Sequence, residues 1–291
     1  MQKIQIYDTT LRDGSQGEGI SFSVQDKVRI ASKLDELGVD FIEGGWPGAN
    51  PKEDEFFSIA AKSLKLKRSK LVAFGSTRRV GVAPAKDIIL KGLLKAETKY
   101  VTIFGKSWDL HVKTVLRAPL SENTKMIYDS VKFLKDQGRK VIFDAEHFFD
   151  GYNENPNYAI EAIKAAHEAG AECLVLCDTN GGTMTSRIFE VVEEVKAQIK
   201  ASIGIHTHND SEMAVANSVA AVQAGCVHVQ GTFNGYGERC GNADLTSVIP
   251  IVALKLKQDC IRPENLEKLL NLSRFVSETA NMTPINSRPF V

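Results

Sequence analysis

Short β-branched runs recur along the 291-residue chain, about 30 residues apart, and a stretch of helical periodicity follows each one. The runs lie at residues 4–8, 40–44, 70–74, 100–104, 140–144, 173–177, 202–206 and 228–232. The first helical stretch, 24–37, is amphipathic and ends at Gly38; the second begins at Pro51 and carries Phe56, Phe57, Ile59 and Ala60. The clearest of the others are 124–137, 158–169, 185–199, 212–224 and 243–257. Strand-helix alternation of this kind builds either an open doubly wound sheet or a closed barrel. The count of eight, and the absence of GxGxxG after the first strand, favour a (β/α)8 TIM barrel over residues 1–258. Residues 259–291 read as a short C-terminal helical extension: one helix, 263–279, and a Pro-containing tail. The apolar end Pro289-Phe290-Val291 leads to the expectation that this segment starts a linker or subdomain cut short here.

Composition adds a class and a compartment. Thirty-six basic and 36 acidic residues give a formal charge of zero, so charge favours neither nucleic acid nor an anionic membrane as partner. The opening MQKIQIYDTT has no apolar signal core, and no apolar run is long enough for a bilayer. The five cysteines (Cys173, Cys177, Cys226, Cys240, Cys260) are odd in number and never form a CxxC pair. That pattern fits reduced thiols in a cytoplasmic protein better than a disulfide framework or a zinc knuckle.

In a TIM barrel the chemistry belongs at the C-terminal ends of the strands. The first strand ends in Asp8-Thr9-Thr10-Leu11-Arg12-Asp13-Gly14-Ser15-Gln16, the seventh in His206-Thr207-His208-Asn209-Asp210, and the eighth runs into Asn234-Gly235-Tyr236-Gly237-Glu238-Arg239-Cys240-Gly241-Asn242. Alone, each has a plain structural explanation: a surface ion pair, a hydrogen-bonded histidine pair, a glycine turn. Residues i and i+2 of a strand share a face, however, and strands seven, eight and one are neighbours in a closed barrel. Asp13, His206, His208 and Asn242 can therefore converge as a mixed N/O site for Mg²⁺, Mn²⁺ or Zn²⁺. Glu43, ending strand two, can reach Arg12 or a metal-bound water, and Trp46 after it serves packing or selectivity. Arg78 and Arg79 follow strand three, where a phosphate contact and a solvated role are both open. The basic stretch 62–70 precedes strand three and so reads as a solvated helix end on the opposite face. His111, His147, His167 and His228 have no evident partner, and Cys240 needs no role as a nucleophile.

Together DTTLRDGSQ, HTHND and NGYGERCGN resemble the DRE-type TIM-barrel metallolyase family, over essentially the whole chain. That family includes 2-isopropylmalate, homocitrate and citramalate synthases and 3-hydroxy-3-methylglutaryl-CoA lyase. The segments EGGWPGANPKEDEFF and FGKSWDLHV look most like the longer, bacterial-type citramalate synthases. The resemblance implies that Asp13, His206, His208 and, more weakly, Asn242 hold the metal, on which a 2-oxo acid chelates. It implies that Arg12 donates to the ketone oxygen, that Thr179 binds the substrate carboxylate, and that Glu146 acts on the acetyl-CoA methyl proton. Glu238 is expected at the thioester end or a nearby water. Thr179 also has a plain reading as a turn or helix-cap residue.

The expected function is an acyltransferase, a Claisen condensation of acetyl-CoA and pyruvate to (R)-citramalate and CoA in isoleucine biosynthesis. The expected partners are those two small molecules and a second copy of the chain, as a homodimer. The rivals are 2-isopropylmalate or homocitrate synthesis on the same site, cleavage of a hydroxyacyl-CoA, and a barrel that binds metal and substrate without turnover. The last arises because synthases of this family complete the site with residues downstream of the barrel; weak or no condensation by these 291 residues is the expectation.

Overall fold

The computed structural model describes residues 3–291. Eight parallel strands close into one barrel in chain order. They are β1 (Gln5–Asp8), β2 (Phe41–Gly45), β3 (Lys70–Ser76), β4 (Tyr100–Lys106), β5 (Lys140–Glu146), β6 (Cys173–Asp178), β7 (Ile203–Thr207) and β8 (His228–Gly231). Closure is set by the β1–β8 register, Gln5 opposite His228 through Asp8 opposite Gly231. The (β/α)8 expectation thus holds, with every strand within two residues of its sequence-based bounds.

The helices are α1 (Val24–Leu37), α2 (Pro51–Ser63), α3 (Ile88–Lys95), α4 (Asp109–His111), α5 (Leu120–Asp136), α6 (Phe148–Glu154), α7 (Pro156–Ala169), α8 (Thr185–Gln198), α9 (Ala214–Gln223), α10 (Leu245–Pro250) and α11 (Leu269–Thr279). Their ends follow local chemistry. Ser23 and Asp26 form a reciprocal capping box on α1, and Gly38 ends it in the left-handed region at φ 95°. Asn50 caps α2 ahead of Pro51, and Asn155 caps α7 ahead of Pro156. Several expected helices differ: the one expected at 124–137 begins at Leu120, and the one expected at 263–279 is a 3-10 segment, Pro263–Lys268, followed by α11. The one expected at 212–224 begins only at Ala214, because Glu212 sits at φ 57°. The one expected at 243–257 is α10 followed by a π-helical turn, Ile251–Lys255. Pro250 has no N–H to continue the α ladder, and after it the Leu256 amide donates to Ile251 O, the wider π spacing.

One core lies between sheet and helices, where Ile30, Leu34, Ile103, Leu134, Ile163 and Val192 are fully buried. A smaller one fills the barrel with Tyr7, Phe41, Val72, Ile142 and Val175. At its floor the His228 ring lies 5.3 Å from Tyr7 and 5.6 Å from Phe41. The interior is therefore packed, and the open end is the mouth where the strands end.

The segment after residue 258 docks on the barrel. The Ile4 amide donates to Asp259 O, and Asn265 donates to Leu37 O at the end of α1. α11 packs on α1 and is tied to the β8 loop by Asn234, which exchanges hydrogen bonds with Ser273. In the basic stretch, Lys62, Lys65, Lys67, Arg68 and Lys70 are exposed ahead of β3, away from the mouth. Among the described residues, no helix is long and apolar enough to cross a membrane.

Candidate active site

The loop after β1 is built as a rigid shelf. Thr10 donates its hydroxyl to Asp8 and accepts the Phe233 amide, joining the β1 and β8 loops. Asp8 is buried, which pushes its carboxyl up to about 7 against the Thr10 hydrogen bonds. Thr9 accepts the Arg12 and Gly14 amides on its carbonyl and the Asp13 amide on its hydroxyl, folding the chain so that Arg12 and Asp13 line the mouth.

Glu43, at the end of β2, fixes Arg12. Its carboxylate is fully buried and accepts from the Tyr7 hydroxyl, from Thr9 Oγ1 at 2.5 Å and from Arg12 Nε at 2.6 Å. The Arg12 guanidinium carbon lies 3.7 Å above the centre of the Phe74 ring. Burial lowers the Arg12 pKa, but Glu43 and Asp13 outweigh it and hold the guanidinium above its ordinary value. The expected link between Glu43 and Arg12 is thus a direct buried ion pair.

Asp13, His206 and His208 meet at one point. His206 Nε2 lies 3.4 Å from Asp13 Oδ2 and 3.3 Å from His208 Nε2, and one donor atom from each residue falls within 4.8 Å of the others. Ligands sharing an ion at about 2.1 Å are separated by roughly 3.0–3.4 Å for octahedral to tetrahedral angles, which fits these distances. Asn242 is held beside His208 by a backbone bridge and donates its amide to Tyr236 O. Its Oδ1 is buried without a hydrogen-bond partner, as is His208 Nδ1. A carboxylate and two converging imidazoles, with an orphaned buried oxygen on the residue bridged to His208, fit a divalent cation. Burial raises the Asp13 carboxyl, yet Arg12 and the two imidazoles hold it well below the carboxylate range. Burial, reinforced by repulsion from His206, lowers His208 to about 4 and favours the neutral ring a metal needs.

The mouth is a cleft of about 240 Å³ that gathers most of the expected residues: Arg12, Asp13, Trp46, Glu146, Thr179, His206, His208 and Glu238. Thr179 lies in the turn after β6, as its plain reading allowed, and caps no helix; its hydroxyl accepts the His147 amide at 2.9 Å and its carbonyl accepts from Arg239. Glu146 forms an ion pair with Lys106 of β4. Glu238 stands half-exposed at the rim, 3.6 Å from Arg239. Trp46, Phe74 and Phe104 make an aromatic wall, with ring centres 5.6–5.8 Å apart. A larger groove of 680 Å³ between α2 and α3 contains none of the expected site residues.

Arg78 stands apart from this set. It is buried and spent on Asp129 at 2.9 Å and Glu122 at 2.9 Å, lining a neighbouring cavity that shares Phe104 with the cleft. Arg79 pairs instead with Asp87. Sequence reasoning missed Asp144, Gln230 and Lys106. Asp144 is two residues before Glu146 on β5 and so shares its face, the one signal that was available. Burial pushes its carboxyl up to about 7, with His206 pulling the other way.

A family profile described as HMGL-like matches residues 3–276. The chain belongs to the HMGL-like family. Among HMGL-like relatives it is 57% identical to an (R)-citramalate synthase of Geobacter sulfurreducens, over all of this chain and 55% of that protein. It is 56% identical to the (R)-citramalate synthase of Aquifex aeolicus over the same shares. A probable 2-isopropylmalate synthase of Methanopyrus kandleri is 35% identical over 99% of this chain and 55% of its own length. The chain thus spans about half the length of the curated relatives it matches. A crystal structure of the Bacillus subtilis HMG-CoA lyase superposes with a TM-score of 0.82 at 21% identity, covering 100% of this chain and 97% of that one. That likeness shares the fold.

Proposed function

We propose that this chain is the catalytic barrel of a synthase that condenses acetyl-CoA with pyruvate to (R)-citramalate and CoA, as a step of isoleucine biosynthesis. The observation that carries the reading is the gap between relatives: 49–57% identity to five (R)-citramalate synthases against 35% to 2-isopropylmalate synthases, over nearly the whole chain in each case. The cleft supports it with a chemistry that suits each reactant.

Asp13, His206, His208 and Asn242 would hold Mg²⁺, Mn²⁺ or Zn²⁺, which when bound supplies Lewis-acid polarisation of the 2-oxo acid. Arg12 gives its Nε–H to Glu43, and its terminal N–H groups, one nitrogen 3.4 Å from Asp13, are at the cleft. There they donate to the ketone oxygen as it gains negative charge. The Thr179 hydroxyl, held by the His147 amide, binds the substrate carboxylate. Glu146, paired with Lys106, takes a proton from the acetyl methyl group. The new bond joins the methyl carbon to the ketone carbon, and the former ketone oxygen ends as a hydroxyl, its proton balancing the one taken from the methyl group. Water then cleaves the thioester near Glu238, giving a carboxylate and the CoA thiol. Trp46, Phe74 and Phe104 leave an apolar niche beside Arg12 that suits a methyl group. Each additional methylene in such a niche changes binding by about 1–3 kcal/mol.

The reading includes a cytoplasmic setting, supported by five free cysteines, four of them buried. It also includes a homodimer, for which the exposed Leu254, Leu270, Ile285 and Phe290 offer apolar surface; light scattering should give twice the 31.9 kDa chain mass. The test of function is CoA thiol release with acetyl-CoA and Mn²⁺, comparing pyruvate, 2-oxobutyrate, 2-oxoisovalerate and 2-oxoglutarate. Pyruvate should give the highest kcat/KM. A preference for 2-oxoisovalerate would move the substrate assignment to 2-isopropylmalate synthesis, and no release with any acid, either by this chain or by a version extended downstream, would overturn the proposal.

A further inference from the structure

We propose that Asp144 and Gln230 are positioning residues that set the tautomer of His206, so that its Nε2 presents a lone pair to a divalent cation. The inference rests on the metal-site reading above and deepens it.

The three side chains come from three strands and meet inside the barrel. Gln230 of β8 lies opposite His206 of β7 in the ladder, and Asp144 reaches them from β5. All three are at most 5% exposed. His206 Nδ1 lies 2.9 Å from Gln230 Oε1, and Gln230 Nε2 donates to Asp144 Oδ1 at 3.0 Å. At about pH 9, above its raised pKa, Asp144 is a carboxylate and only accepts, so the Gln230 NH₂ must face it. That choice turns the amide oxygen toward His206 and makes Nδ1 the nitrogen that carries the proton. Nε2 is then the free atom, and it is Nε2 that faces Asp13 and His208. The reversed amide would set oxygen against oxygen at the Asp144 contact. It would also require Nδ1 to accept, moving the ring proton onto Nε2, where it blocks coordination. His208 has no such guide, since its Nδ1 is buried without a partner. The relay therefore singles out one ligand of the pair.

The decisive experiment has two readouts that do not depend on catalysis. The first is a ¹⁵N imidazole spectrum of the metal-free protein at about pH 9, where His206 should carry its proton on Nδ1. In Asp144→Asn, whose side chain can meet the Gln230 amide in either orientation, that signal should shift toward a mixture of tautomers at unchanged volume. The second is titration with Mn²⁺ alone. Gln230→Leu should weaken its binding about 10–100-fold, as loss of a ligand's hydrogen-bond partner does, and Asp144→Asn should weaken it less. A His206 proton on Nε2 in the unsubstituted protein, or equal Mn²⁺ affinity in all three proteins, would overturn the relay alone. Failure of the unsubstituted protein to bind Mn²⁺ or Zn²⁺ would overturn the metal site itself, and the relay with it.

Discussion

Glu43 concentrates the cost of building the cleft, because its buried carboxylate satisfies Tyr7, Thr9 and Arg12 together. Removing one partner of a buried ion pair typically costs about 3–5 kcal/mol, since the other charge is stranded. Glu43→Gln should lower unfolding free energy by roughly 3 kcal/mol in urea titrations; a loss below about 1 kcal/mol would mean that Arg12 finds solvent instead. Glu146→Gln should behave differently. Its side chain is partly exposed beside Lys106, so stability should hold while CoA release falls by about 10²–10⁴-fold, the usual contribution of a general base. Wild-type turnover in that variant would remove Glu146 from the mechanism. At the barrel floor, burial alone lowers the His228 pKa to about 3. The unfolded chain therefore binds a proton that the native one refuses, and stability falls as pH drops below the ordinary histidine value of about 6.5. Between about pH 7.5 and pH 5 this residue should cost roughly 2 kcal/mol. Denaturant curves of His228→Leu at the two pH values should show a drop smaller by that amount, and parallel drops would refute the assignment.

Between β2 and α2, one turn shows how an element aims a side chain. Gly45 follows the bulge in β2 at φ 147°, and a Cβ there would stand 1.5 Å from Glu53 Oε2. Glu53 in turn pairs with the buried Lys27 and accepts the Trp46 amide at 3.2 Å. Gly45→Ala should thus displace the carboxylate, loosen the pair and swing Trp46 off the aromatic wall. The expected outcome is a loss of at least about 3 kcal/mol together with a changed tryptophan emission; an unshifted melting curve would show that the turn can relax freely. The same element scale explains what the sequence conveyed and what it withheld. Helices bounded by Ser23 and Gly38, or by Asn155-Pro156 and Gly170, carry their start and stop signals in the residues themselves. The π turns at Val112–Leu116 and Ile251–Lys255 and the short α6 carry none that a 3.6-residue period can display.

Across the whole molecule, the motif residues could be placed because a closed barrel makes strands one, seven and eight neighbours, and Asp13, His206 and His208 need only that adjacency. Asp144 and Gln230 meet across the interior, from β5 and β8. Strand order does not reveal that distance, since it depends on barrel radius and the stagger of the strands. Arg78 illustrates the converse: its position after β3 was legible, whereas Glu122 and Asp129 on α5 became its partners only through packing. The central claim is that the mouth of this barrel holds a cation and a 2-oxo acid side by side. Anomalous diffraction from crystals grown with Mn²⁺ and pyruvate tests it most directly. One strong manganese peak bounded by Asp13, His206 and His208 is expected, with pyruvate density between that peak and Arg12. A peak elsewhere, or pyruvate bound away from Arg12, would contradict it.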